Sequence, residues 1–255
     1  MSMSHLIQDY FKPDYCFGQN HLVVGISHLQ RLSELELPNF INHFSGVVAA
    51  KAETFHLLPS NLPYDTVEIL AKAIMNGKRF EPIATSRPNG EPLGKVYSDY
   101  KVPADALELF YAMVPMAVLK EESGGSQPNL ADLVYKSLEQ AKQRCGQIDI
   151  DRAKEGFVKV MTKVRNQELR MQDLADWNDA FARYHGALIE YEFMIPDIKA
   201  FSESVEGKIA VLVGKFHAQG INDSLNGKKP QRPLDWNEYV SGLKERETIQ
   251  RVFKH

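Results

Sequence analysis

Two short strings of this chain run from a glycine to an imidazole: Gly25-Ile26-Ser27-His28 and, nearly 190 positions later, Gly214-Lys215-Phe216-His217. Histidine titrates near neutral pH and is the commonest metal ligand, so two of them facing one crevice make a centre for general acid–base or metal-assisted chemistry. Each tetrad closes an apolar, β-branched run, HLVVGISH and GKIAVLVGKFH, that reads as a buried strand. In a mainly parallel sheet, ligands sit beyond the carboxyl ends of the strands, and a glycine there lets the backbone turn into the crevice. The expectation is that His28 and His217 edge one cleft. The plain alternative is that a strand-end histidine is only a hydrogen-bonded residue beside a loop.

Other side chains could join such a centre. Arg165 and Asn166 combine a guanidinium fork, which grips a carboxylate or phosphate, with an amide that can hold a polarised carbonyl. Their segment, KVRNQELR, also suits a solvated helix surface. Glu190 and Glu192 flank Tyr191 ahead of Pro196 and could supply carboxylates, although decoration of a helix explains them equally simply. Phe110, Tyr111, Met113, Met116 and Leu119 could line a haem or lipid pocket, but such a stripe is also what a buried helix needs. His43, His185 and His255 read as structural or exposed.

The elements that must position these residues are unevenly distributed. Besides the two tetrad strands, SGVVAAKAETF (residues 45–55) reads as a third, with weaker extended pieces near residues 82–85 and 95–97. Asp65 and Glu68 form a capping box for a helix that Gly77 stops. Pro103 opens a further helix that Pro115 should kink or divide, another begins near Asn129, and residues 150–181 look helical almost throughout. Residues 187–201 continue in that manner with an interruption at Pro196, and Asp235 with Glu238 caps a terminal helix reaching about Val252. The fold class is therefore α/β, a small mainly parallel sheet flanked by helices, with a helix-rich insertion over roughly 60–200 in one domain of residues 1–255.

Composition narrows the function. With 255 residues, 44% of them hydrophobic and 25% charged, the chain can bury a substantial core. A net charge of −3 supplies no attraction for nucleic acid or anionic lipid. Cys16 and Cys145 are too few for a disulfide framework, which points to a reducing, cytoplasmic setting. Asp9, Lys12 and Asp14 interrupt the N-terminal stretch where an export signal needs an apolar core, and no apolar run approaches a membrane span.

A strand ending in GISH, a following strand SGVVAAKAETF, a helix near VRNQELRMQDL and a final strand KIAVLVGKFHAQGI stand in an order that resembles the TIKI/TraB superfamily. That superfamily takes in ChaN-type haem-binding and erythromycin-esterase-like proteins. The resemblance implies a hydrolase cutting a peptide, ester or lactone bond of a small-molecule or peptide substrate. Gly25 and His28 match the family's first G-x-x-H tetrad, Gly214 and His217 its second with Gly220 a few positions on, and Arg165 with Asn166 its Arg-Asn pair, which opens a helix before the last strand and would orient the substrate. The family's acid at the end of the second strand falls directly on Lys51 and, after a shift of two residues that keeps the strand face, on Glu53, with His56 close behind. The same resemblance implies a site in which His28, His217 and Glu53 hold a divalent metal, manganese or zinc, or activate water directly.

Three other functions fit parts of the chain. Its likeness to ChaN implies a haem or other tetrapyrrole carrier, with a histidine or tyrosine approaching iron. Lys51 at the position of the acid suits a catalytically inactive interaction module. The segment VVGIS resembles the glycine-x-serine of cyclodipeptide synthases, which makes Ser27 an aminoacyl-carrying nucleophile. Those enzymes place a tyrosine four residues before a glutamate and a proline two residues later, whereas Pro196 here has Met194 and Glu190 at those positions.

Overall fold

The computed structural model describes residues 14–26, 42–49, 73, 75–83, 87–119, 130–244 and 246–253. The chain divides into two compact units, one holding the described residues up to Asn89 together with Ile189–Arg232, the other Gly90–Leu188 and the residues from Pro233 onward.

The first unit is built on the continuous apolar runs. β2 (His21–Ile26) and β5 (Ile209–Gly214) are buried at every position, as expected of strands covered on both faces, and β3 (Gly46–Ala49) is buried throughout as well. Among the described residues these join β1 (Asp14–Phe17) and β4 (Arg79–Pro82) in one sheet of order β1-β2-β5-β3-β4. All neighbours are parallel except β1 and β2, which form an antiparallel pair. The fold is α/β.

Alternation along the strands separates two faces. Leu22, Val24, Ile26, Val47, Ala49, Ala210 and Leu212 pack with Phe44 and Ala73 on one. The other carries α6 (Ile195–Ser204) and α7 (Ala218–Leu225): Phe201 lies against Gly46, Asn222 bonds His21, and Ala218 lies over Gly25.

The strand expectations hold for the three buried runs. They miss β1, whose burial is slight and whose Tyr15 and Phe17 are exposed, so no apolar run announces it. Residues 95–97 are not extended but lie in α1 (Leu93–Asp99), where Gly94 packs against the Cys145 carbonyl. Ala73 and Met75 are helical and Gly77 turns out of that helix at φ +69°, as its stop requires. The rest of that helix lies outside the described residues.

The second unit is helical: α1, α2 (Ala104–Leu119), α3 (Leu130–Cys145), α4 (Ile150–Arg165), α5 (Met171–Ile189), α8 (Trp236–Gly242) and α9 (Arg246–Phe253). α2 runs through Pro115 without dividing, because the packing of Leu107, Phe110 and Tyr111 in the core holds it where the ring alone would break it. Phe110, Tyr111 and Met113 are core residues. Asp235 caps α8 by accepting from the Glu238 N–H at 3.0 Å, but the terminal helix splits at extended Leu243, just after Gly242. Tyr97 links the Tyr111 hydroxyl at 2.8 Å to His185 Nδ1 at 2.7 Å, a polar chain within the aromatic core.

Candidate active site at the carboxyl edge of the central strands

β2 and β5 run side by side in the same direction, Gly25 opposite Val213 and Ile26 opposite Gly214. Both strands thus end at one edge of the sheet, where parallel α/β sheets bind ligands. Gly25 is needed for close approach rather than for a turn. A Cβ there would stand 2.8 Å from Ala218 Cβ and 3.1 Å from Lys215 Cα, so only glycine lets the segment after β5 settle onto β2. Gly214 has ordinary extended geometry (φ −59°, ψ 141°) and hands the chain to a short 3-10 turn, Lys215–His217, before α7.

That turn sorts three neighbours into three settings. Lys215 reaches toward Asp14 at 3.5 Å, Phe216 projects with 82% of its surface exposed, and His217 is buried. His217 does not face bulk water unpartnered: its Nδ1 stands 3.1 Å from Glu190 Oε2. The side chains of His217 and Glu190 are 7% and 21% exposed, so the pair is largely withdrawn from solvent. Gly220, in the first turn of α7, makes the space: a Cβ there would lie 2.0 Å from Glu190 Oε1. The glycine a few positions past the second tetrad is a cradle for a carboxylate.

Glu190 arrives by an unusual backbone. Residues Glu190–Met194 form a π-helical turn in which the Ile195 N–H bonds the Glu190 carbonyl five residues back. Pro196 has no N–H to offer four residues back, so the ladder widens by one residue just before it. Such turns recur at functional sites. Within it, Glu192 is gripped by Arg87, Nε to Oε2 2.6 Å, with both side chains mostly buried. Nearby on β1 the half-buried Cys16 thiol is raised above its ordinary value by burial and then by the charges of Asp14 and Asp223.

Comparison of the chain with known protein families, with curated proteins and with solved structures finds no match.

Of the residues singled out from sequence, Gly25, Gly214 and His217 gather at this edge. His28, Glu53, Lys51, His56 and Ser27 lie outside the described residues. Arg165 and Asn166 belong to the second unit, both exposed, and they close α4 instead of opening a helix, α5 starting only at Met171. Asn166 turns its amide to Glu168 at 3.2 Å, and Gln167 comes next with a left-handed φ of +62°, which is why the helix ends there. Among the described residues no group of three or more His, Cys, Asp or Glu side chains gathers to hold a metal ion. A metal on the predicted set would need His28 and Glu53 beside His217. Nor is any helix among the described residues long and apolar enough to cross a membrane.

Glu190 and Arg87 are the members that sequence reasoning undervalued. Glu190 carried a weak signal, an acid ahead of a helix-breaking proline, but nothing in the string fixed its direction. Arg87, in a SRPNG stretch typical of loops, carried none.

Proposed function

We propose that this chain is a hydrolase of the TIKI/TraB type acting on an ester, lactone or peptide bond at the carboxyl edge of β2 and β5. The reading rests on one observation, the 3.1 Å contact between His217 Nδ1 and Glu190, whose carboxylate fills the space a side chain at Gly220 would take. A carboxylate on Nδ1 fixes the orientation and tautomer of the imidazole, which leaves Nε2 to take a proton from water as that water adds to the carbonyl carbon. The same proton then passes to the leaving oxygen or nitrogen as the bond breaks. A divalent ion held by His217 with His28 and Glu53 would supply a Lewis acid to the same centre.

A second reading is favoured by the pairing of Ile26 with Gly214, because Ser27 directly succeeds that position in the chain. In it Ser27 Oγ attacks the carbonyl of an aminoacyl ester, the donor alcohol leaves with the proton taken from Ser27, and an amine then displaces Ser27 to form an amide, as in cyclodipeptide synthases, with Glu190 and His217 moving the proton. Haem carriage and an inactive interaction module gain no support from this edge.

The test is turnover of p-nitrophenyl acetate and of a lactone panel by wild type, His217→Ala, Glu190→Gln and Ser27→Ala. Loss in His217→Ala with retention in Ser27→Ala supports the water route. Loss in Ser27→Ala, with an acyl adduct on wild type by mass spectrometry, supports transfer. Equal turnover in folded His217→Ala and wild type removes both.

A further inference from the structure

The π-helical turn carries two carboxylates with different partners. Glu190 meets His217 at 3.1 Å, and Glu192 meets Arg87 at 2.6 Å across 105 positions of sequence. Side chains two positions apart on a helical turn point to roughly opposite sides. One turn is therefore held by two polar handles set on different sides of its axis. Between them the hydrogen-bond ladder slips to a five-residue spacing ahead of Pro196. Buried Phe193 and Met194 anchor the apolar side of the turn. The Arg87–Glu192 pair anchors its polar side, since its side chains are only 14% and 13% exposed and a guanidinium–carboxylate hydrogen bond is directional as well as attractive.

We infer that Arg87 is a positioning residue: by clamping Glu192 it sets the rotation of residues Glu190–Met194 and so aims the Glu190 carboxylate at His217 Nδ1. Gly220 completes the device from the other side, admitting the carboxylate only where the clamp delivers it. The inference rests on the reading of Glu190 and His217 as the working pair, but it concerns the geometry of that pair and is measurable without turnover.

A neutral imidazole whose Nδ1 donates to a carboxylate carries its proton on Nδ1, the less common tautomer of a free histidine, and side-chain nitrogen NMR distinguishes the two forms. The His217 signals are assigned by their loss in His217→Asn. In Arg87→Met the ratio of Nδ1–H to Nε2–H tautomer at His217 is expected to fall several-fold, matching Glu190→Gln, whereas Arg87→Lys retains most of it. Turnover should fall about tenfold in Arg87→Met, and the Arg87→Met/Glu190→Gln double variant should be no worse than Glu190→Gln alone. Glu192→Gln, which keeps the side-chain shape, repeats the measurement if Arg87→Met fails to fold. An unchanged tautomer ratio in either folded variant, or losses that add in the double variant, overturns the inference. A ratio that depends on Arg87 in a chain with no turnover on any ester, lactone or peptide retires the hydrolase reading and leaves the positioning role standing.

Discussion

Adding one methyl group at Gly220 should sever the Glu190–His217 contact while leaving the fold in place. The new Cβ would lie 2.0 Å from Glu190 Oε1 and 2.9 Å from its Cδ, so the carboxylate must retreat by more than 1 Å to reach ordinary contact at 3.4 Å or beyond. The contact it leaves is 3.1 Å long, and at 3.6 Å a side-chain pair no longer counts as hydrogen-bonded. Losing a hydrogen bond to a charged group costs about 1.5–3 kcal/mol. Replacing glycine by alanine inside a helix returns about 1 kcal/mol. Net stability should therefore drop by no more than about 2 kcal/mol, readable by urea denaturation. If the same interaction serves the transition state, turnover of p-nitrophenyl acetate should fall about 10- to 150-fold. The sign should reverse in a Glu190→Ala background, where the clash is gone and Gly220→Ala should stabilise by up to about 1 kcal/mol. A folded Gly220→Ala protein with wild-type turnover and an unaltered His217 tautomer would refute the assignment.

The helical unit offers tests of its own. Hydrogen bonds from Arg170 hold the Asp173 carboxyl at about 2, with the Arg251 guanidinium 3.8 Å away adding to the effect. A depressed carboxylate stabilises the native state above its unfolded value near 4, and that contribution drains away as pH falls toward 2; thermal midpoints taken between pH 5 and pH 2 should decline more steeply for wild type than for Asp173→Asn. Burial pushes the Cys145 thiol up to about 11, so iodoacetamide at pH 8 should label Cys16, at a rate below that of a free thiol, and reach Cys145 only in denaturant. Gly94→Ala places a Cβ 1.9 Å from the Cys145 carbonyl oxygen, a rigid backbone neighbour, and should cost about 1–3 kcal/mol in urea titrations; wild-type stability would contradict that packing.

The difference between what the string discloses and what it hides is one of range. β2, β3 and β5 were legible because a strand covered on both faces must be apolar at successive positions, and LVV, GVVA and IAVLV are. β1 was not, since an edge strand with an exposed Phe17 needs no such run. The Asp235 cap was legible from local spacing, whereas the split at Leu243 was not, because the helix pattern continues past it. At the candidate site, His217 and Gly220 were found from a tetrad and the glycine after it. Glu190 was visible only as an acid on a helix, because its aim depends on a π turn, on Pro196 and on Arg87, contributions from separate stretches that no local pattern links. The pair Arg165 and Asn166 illustrates the converse: expected to open a helix, they close one, because a left-handed Gln167 follows them.

The strand at the centre of the sheet is the last of the five to be synthesised. β5 lies between β2 and β3, pairing with Ile26 and its neighbours on one side and with Gly46–Ala49 on the other, although those partners precede it by more than 150 residues. Until it emerges from the ribosome, β2 and β3 each present a bare, apolar hydrogen-bonding border, the kind of border that recruits other chains. The Gly90–Leu188 part of the helical unit, whose contacts are closer in sequence, can begin to condense during that interval, whereas α8 and α9 of the same unit follow β5. His217 stands three residues beyond β5, so the imidazole meets Glu190 only once the final plank of the sheet has been laid.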